Sequence, residues 1–78
     1  MRGGVELKTA KEIKMLRSGK GFFTLSDMVN ALSDEGVSIT KQGYSLKERG
    51  RTPFTAKEID ALSRILGMSL DEAFSFFA

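Results

Sequence analysis

The side chains best suited to chemistry in this chain are polar and basic, and they cluster in the stretch ITKQGYSLKERGRTP, residues 39–53. This stretch contains four bases and one acid: Lys41, Lys47, Arg49, Arg51 and Glu48. The region before it, residues 21–40, contains only acidic charges. Although the net charge is only +2, its uneven distribution suits one segment to binding anionic groups.

Covalent chemistry is much less well supported. The chain has no cysteine and no histidine, which removes disulfides, thiolate nucleophiles, ordinary zinc sites and the commonest general base. Half of the 10 carboxylates stand in predicted first turns of helices, where capping and the helix dipole account for them: Glu12, Asp27, Glu58, Asp71 and Glu72. We therefore expect no enzyme activity, no catalytic residues, no cofactor and no metal.

The basic stretch is predicted to form a short helix with clear ends. Thr40 is a good N-cap, so the helix should begin near Lys41. Gly50 follows Arg49 where a left-handed residue ends many helices, and Pro53 prevents continuation. The predicted helix covers residues 41–49.

The same signals recur along the chain and predict five helices. A hydroxyl residue followed three positions later by a carboxylate marks four further helix starts: Thr9 with Glu12, Thr24 with Asp27, Thr55 with Glu58, and Ser69 with Glu72. Four glycines mark the ends of the first four helices: Gly19, Gly36, Gly50 and Gly67. This regularity favours helices over strands.

Apolar residues within these units recur at helical spacing and predict the core. They are Leu25, Met28, Val29 and Leu32 in the second unit, Ile59, Leu62, Ile65 and Leu66 in the fourth, and Leu70, Ala73, Phe74 and Phe77 in the fifth. At 8.6 kDa there is room for one small core. We expect a compact all-α five-helix domain over residues 9–78, preceded by a flexible N-terminal arm, residues 1–8.

Two further observations bear on location and on charge. No apolar run approaches the roughly 20 residues of a membrane span, and no signal-peptide core follows Met1, so we expect a cytoplasmic protein. A second basic group runs through the first helix and its exit: Lys8, Lys11, Lys14, Arg17 and Lys20. A solvated face is the simplest interpretation of that group.

The segment from Thr24 to Phe77 resembles the lambda repressor/Cro-like helix-turn-helix domain, also called the XRE family. The likeness is to the short versions found among phage and mobile-element regulators, and it covers residues 10–77. Its most specific part is YSLKERGRTPFT, followed by EIDALSRILG and SLDEAF. Three features depart from the family pattern: a longer segment SDEGVS before the third helix, Leu25 in place of a phosphate-contacting glutamine, and Gly43 inside the third helix.

The resemblance implies sequence-specific binding of double-stranded DNA by a transcriptional repressor or regulator. The third helix would lie in the major groove of a palindromic operator, with base edges facing Lys41, Gln42, Ser45 and Leu46. Gln42 could pair with adenine, Lys41 with guanine, and Leu46 could touch a thymine methyl group. The implied phosphate contacts are Arg49, Arg51, Thr52, Thr55 and Ala56.

The resemblance also assigns structural roles to two inward-facing residues and to one ion pair. Tyr44 should point into the core, and Glu48 should lie on the inner edge of the third helix. Glu48 should pair with Arg17 at the end of the first helix.

Homodimer formation is expected through the last helix. Leu70, Ala73, Phe74 and Phe77 share one predicted face, whereas Phe76 falls outside it and has no obvious place in the core. A large exposed apolar side chain suggests a contact surface, so Phe76 is the predicted dimer contact. A frayed terminus is the alternative.

Two other functions remain compatible with the sequence. One is an antitoxin that represses its own operon, with a toxin as partner protein. The other is a helical protein–protein interaction module, for instance an antirepressor, that has lost DNA binding. Leu25, Gly43 and Leu46 are the features that keep this second alternative open.

Overall fold

The computed structural model describes residues 10–77, and this part of the chain is all-helical. The five helices are α1 (Ala10–Gly19), α2 (Leu25–Asp34), α3 (Lys41–Glu48), α4 (Ala56–Leu66) and α5 (Leu70–Phe77). The predicted all-α five-helix architecture is therefore confirmed. The expected arm, residues 1–8, and the expected cap Thr9 lie outside the described residues.

Four of the predicted helix starts are present as hydrogen-bonded caps. Thr24 and Asp27 bond each other's backbone N–H groups at 3.1 Å in both directions. Ser69 and Glu72 do the same at the start of α5, at 2.9 and 3.1 Å. At α3 the Thr40 hydroxyl accepts from the Gly43 N–H at 2.9 Å, and at α4 Thr55 forms a capping box, described below. Each cap is worth about 1 kcal/mol.

Glycines in the left-handed conformation end the helices, with one shift from the prediction. Gly50 has φ 78°, and the Arg51 N–H bonds back to the Leu46 carbonyl at 2.8 Å, which closes α3. Gly19 is the last residue of α1, but Gly21 is the left-handed residue there, with φ 94°. The cause is a bond from the Phe22 N–H to the Arg17 carbonyl at 2.9 Å, which places the turn two residues later.

All five helices contribute to one core. Its most deeply buried side chains are Tyr44, Met28, Leu32, Leu62 and Leu66. Val37 is also buried, so the segment between α2 and α3 is anchored despite its length. Burial of this shared core, rather than any single helix, holds the outer face of α3 in place.

An edge-to-face series of aromatic rings links α3 to α5. Phe54, in the turn after α3, lies 6.1 Å from Tyr44 and 5.1 Å from Phe77, measured between ring centroids. Phe76 continues the series at 5.1 Å from Phe77. Such pairs add about 0.5–1.5 kcal/mol each beyond their burial.

The predicted apolar face of α5 is partly wrong. Leu70 and Phe74 are 47% and 37% exposed, whereas Phe76 is half-buried against the core. Ala73, Phe76 and Phe77 face the core, where the ring of Phe77 contacts those of Phe54 and Phe76. The prediction that Phe76 has no place in the core is therefore wrong.

None of the helices described is long and apolar enough to cross a membrane. The longest, α4, has 11 residues.

Candidate nucleic-acid interface

Helix α3 has an inner and an outer face, and the sequence places different chemistry on each. Tyr44 and Glu48, one turn apart, are buried at 0% and 7% exposure. The outer face carries Lys41, Gln42, Ser45, Leu46 and Arg49, the last of which is the C-cap. The inward positions of Tyr44 and Glu48 are those that the family resemblance implies.

The outer face of α3 and the first turn of α2 line a groove of about 710 Å³. All four predicted base-facing residues take part: Lys41, Gln42, Ser45 and Leu46. They are joined by Arg49 and by Thr24, Leu25 and Ser26 from the start of α2. The lining therefore holds two cations and no carboxylate, so an anion can approach it without repulsion from these side chains.

The remaining predicted phosphate contacts lie together but outside this groove. Arg51, Thr52, Thr55 and Ala56 are all exposed, in the turn after α3 and at the start of α4. Thr55 is already engaged, because its N–H donates to Glu58 at 2.7 Å and its hydroxyl accepts from the Glu58 N–H at 3.1 Å. The Thr55 N–H is therefore not available to a phosphate, whereas its hydroxyl hydrogen and the N–H of Ala56 are not used by this capping box.

The expected ion pair between Arg17 and Glu48 is present and buried. Arg17 Nε donates to Glu48 Oε2 at 2.7 Å and Nη2 to Oε1 at 3.3 Å, while Nη1 donates to the Phe22 carbonyl at 2.8 Å. The hydrogen bond to Glu48 raises the pKa of Arg17 further above its ordinary value. A guanidinium satisfied on three sides can remain buried, and it ties the end of α1 to the end of α3.

Tyr44 lies beside this pair with its hydroxyl fully buried. No described residue offers that hydroxyl an acceptor with hydrogen-bonding geometry. Burial raises the pKa of Tyr44, and the nearby Glu48 carboxylate raises it further. The phenol is therefore neutral, and its contribution to the domain is packing.

Lys47 belongs to the inner structure rather than to the basic surface. Its ammonium lies 2.6 Å from both carboxylate oxygens of Glu58, and both side chains are largely buried. Burial alone would raise the pKa of Glu58, but the bonds from Lys47 and from the Thr55 backbone outweigh it and hold the pKa below its ordinary value. Of the four bases in the stretch, three remain on the surface: Lys41, Arg49 and Arg51.

Gly43 has a structural explanation in the cap of α3. A Cβ atom at this position would lie 3.1 Å from the Thr40 hydroxyl oxygen and 3.5 Å from Ile39 Cγ1. The first distance is tighter than ordinary packing, so a side chain would press on the oxygen that caps the helix. Glycine costs about 1 kcal/mol in helix propensity relative to alanine, and here it leaves the cap undisturbed.

Sequence reasoning did not assign Thr24, Leu25 and Ser26 to the interface. In the sequence Leu25 is recognisable only as a departure from the family pattern, because its place in the groove depends on the packing of α2 against α3. A neighbouring cleft, which shares Leu25, Ser45 and Arg49, adds Lys14 and the 68% exposed Phe23. Lys14 lies within α1 and Phe23 lies just after it, and nothing in the sequence around either residue indicates that it lies next to the groove.

Comparison of the chain with protein-family models, with curated proteins and with solved structures gives no match.

Proposed function

We propose that this chain is a sequence-specific double-stranded DNA-binding protein that acts as a transcriptional repressor or regulator, with α3 as its recognition helix. The helix would enter the major groove with Lys41, Gln42, Ser45 and Leu46 facing base edges. Arg49, Arg51, Thr52 and the start of α4 at Thr55 and Ala56 would hold the phosphates on either side.

One observation carries the proposal. The residues expected to face bases lie together on one groove that contains two cations, a carboxamide, hydroxyls and no carboxylate. A glutamine amide and a lysine ammonium are the groups that pair with adenine and guanine in the major groove. A surface selected only for solubility would be expected to mix both signs of charge.

The inner face of α3 supports the same function. Buried ion pairs connect this helix to α1 through Arg17 and to α4 through Glu58. The aromatic series through Phe54 connects it to α5. A rigid helix places its outer side chains with little loss of conformational entropy on binding, which favours base readout.

A homodimer on a palindromic operator forms part of the proposal. The exposed apolar residues of α5, Leu70 and Phe74, are four positions apart and therefore share a face. They replace Phe76 as the proposed contact, since Phe76 packs on the core. An antitoxin-type autorepressor would bind DNA through the same surface and differ only in having a partner protein.

The test begins with selection of bound fragments from a random duplex library, followed by affinity measurements across a salt series. A DNA-reading protein should enrich one sequence and lose affinity steeply as salt rises, because phosphate contacts release counterions. A variant that lacks two proposed phosphate contacts, Arg49→Ala with Arg51→Ala, should bind random duplex more weakly with a shallower salt slope.

The competing function is a protein–protein interaction module, for instance an antirepressor, that binds another protein instead of DNA. The apolar residues Leu25 and Leu46 in the groove favour it. Absence of any enriched duplex and of salt-dependent binding would support the interaction module and overturn the DNA-binding proposal.

A further inference from the structure

Two leucines line the groove between α2 and α3 beside its polar and basic side chains. Leu46 is the one apolar residue among the five on the outer face of α3, and it is 37% exposed. Leu25, the first residue of α2, lines the same groove while its other side packs against the core. The groove therefore presents apolar side chains from two helices.

Single exposed leucines are common and need no explanation. Here, however, two leucines share a concave surface whose other residues include Lys41, Gln42 and Arg49. A wholly apolar partner would leave the cations and the amide without partners. A wholly polar partner would leave the leucines facing water or polar groups. The occupant that fits is anionic, offers hydrogen-bonding edges and carries a small apolar group.

Duplex DNA presents such a group in its major groove as the C5 methyl of thymine. A 5-methylcytosine presents the same methyl at the same ring position. Building on the function proposed above, we propose that Leu25 and Leu46 form a methyl-reading pair that makes binding depend on the 5-methyl group of one pyrimidine. Leu25 is thereby assigned a role in specificity rather than in phosphate contact.

The helix geometry sets where this methyl should lie in the site. Gln42 and Leu46 are four residues apart, so they lie about 6 Å apart along α3. Successive base pairs are about 3.4 Å apart. For a helix that follows the groove, the methyl lies about two base pairs from the base that Gln42 contacts.

The experiment uses the duplex selected from the random library and changes one methyl at a time. Every thymine is replaced singly by deoxyuridine, and every cytosine singly by 5-methylcytosine, across the whole site. Affinities are measured for the wild-type chain and for Leu46→Ala and Leu25→Ala. Met15→Ala is the control for an exposed apolar residue outside the groove, and Val29→Ala is the control for a half-buried apolar residue of α2.

If the pair reads thymine, deoxyuridine at one position lowers wild-type affinity about fourfold, the value of one buried methyl-sized group. If it reads 5-methylcytosine, methylation at one position raises affinity by a similar factor. In either case the effect disappears in Leu46→Ala, shrinks in Leu25→Ala, and persists in both controls. If Leu25→Ala does not fold, as judged by helical circular dichroism, the loss or persistence of the methyl effect in Leu46→Ala tests the proposal on its own.

The inference is overturned if the selected duplex binds specifically but no methyl change alters affinity, or if the effect survives in Leu46→Ala. In that outcome the proposed function still stands. If no duplex is enriched at all, both the proposed function and this inference fail.

Discussion

The buried guanidinium of Arg17 illustrates how one residue can fix the orientation of a helix. It bonds Glu48 twice and the Phe22 carbonyl once, at 3% exposure. A satisfied buried pair need not be strongly stabilising in net terms, but removal of one partner leaves an uncompensated charge. The pair therefore specifies how the end of α1 meets the end of α3.

We predict strong coupling between these two residues. Arg17→Met and Glu48→Leu should each lower the free energy of unfolding by about 3–5 kcal/mol, because each leaves the other charge buried and unpaired. The double variant should be more stable than either single variant. A double-mutant cycle by chemical denaturation measures this, with the exposed pair Arg64 and Asp60 as the control expected to be nearly additive. Additivity at Arg17 and Glu48 would contradict the structural role.

The hydroxyl of Tyr44 should be dispensable. The hydroxyl lies near the Glu48 carboxylate but makes no hydrogen bond of good geometry, so Tyr44→Phe removes a buried polar group without breaking a well-formed bond. The free energy of unfolding should stay constant or rise by up to about 1 kcal/mol. Chemical denaturation of the two proteins under one set of conditions provides the measurement. A loss of stability larger than about 1 kcal/mol would indicate that the hydroxyl is hydrogen-bonded in solution.

At the scale of the elements, Glu58 joins two helices with one carboxylate. It accepts from Lys47 of α3 and from the N–H of Thr55, which caps α4. In the folded chain its pKa lies below the ordinary value of 4.5. Protonation therefore favours unfolding, so this stabilisation is complete above the ordinary pKa and is lost as the pH falls through the lower, folded value.

Acid should thus weaken the contact that Glu58 makes between α3 and α4. We predict that Glu58→Gln lowers stability at neutral pH and reduces the slope of stability against pH below about pH 4.5. Lys47→Met should reduce the same slope, because it removes the cation that holds the pKa down. Thermal unfolding across an acid pH series tests this. An unchanged slope in both variants would show that Glu58 does not titrate with a lowered pKa.

Helix ends could be predicted from sequence because a cap is decided within a few residues. Thr24, Thr55 and Ser69 each bond a carboxylate three positions away, and Gly50 ends α3 where a left-handed residue was expected. The outer face of α3 followed from the helical repeat and from the family resemblance. Prediction of these features needed no knowledge of the tertiary fold.

Features that depend on packing between helices were harder to predict. Both Phe74 and Phe76 can share a helical face with Ala73 or Phe77, and the packing of α5 on the rest of the core determines that Phe76 is the one covered. Similarly, Lys47 cannot be told apart in the sequence from the exposed bases near it. In the folded chain its ammonium is paired with Glu58 and largely buried, so it is not part of the basic surface. The position of Leu25 in the groove likewise depends on packing between helices, because the start of α2 lies beside the outer face of α3.

At the scale of the whole molecule, the proposed dimer gives different roles to two phenylalanines of α5. Phe74→Ser should leave the melting temperature nearly unchanged and weaken cooperative binding to a palindrome, because Phe74 is exposed. Phe76→Ser should instead lower the melting temperature, because its ring packs on Phe77. Half-site binding should be unaffected by Phe74→Ser. Unchanged palindrome binding in that variant would exclude this face as the dimer contact.

The central claim is that the outer face of α3 reads DNA sequence, and comparison of variants on specific and random duplexes tests it most directly. Gln42→Ala and Lys41→Ala should each cost about 1–3 kcal/mol on the selected duplex while largely sparing random duplex. Arg51→Ala should weaken binding to both and make the salt slope shallower by about one. Asn30 carries an exposed carboxamide on α2 outside the groove, so Asn30→Ala is the matched control for Gln42→Ala. It should change affinity for neither the selected nor the random duplex. Equal losses on both duplexes for Gln42→Ala and Lys41→Ala would contradict the claim that α3 reads bases.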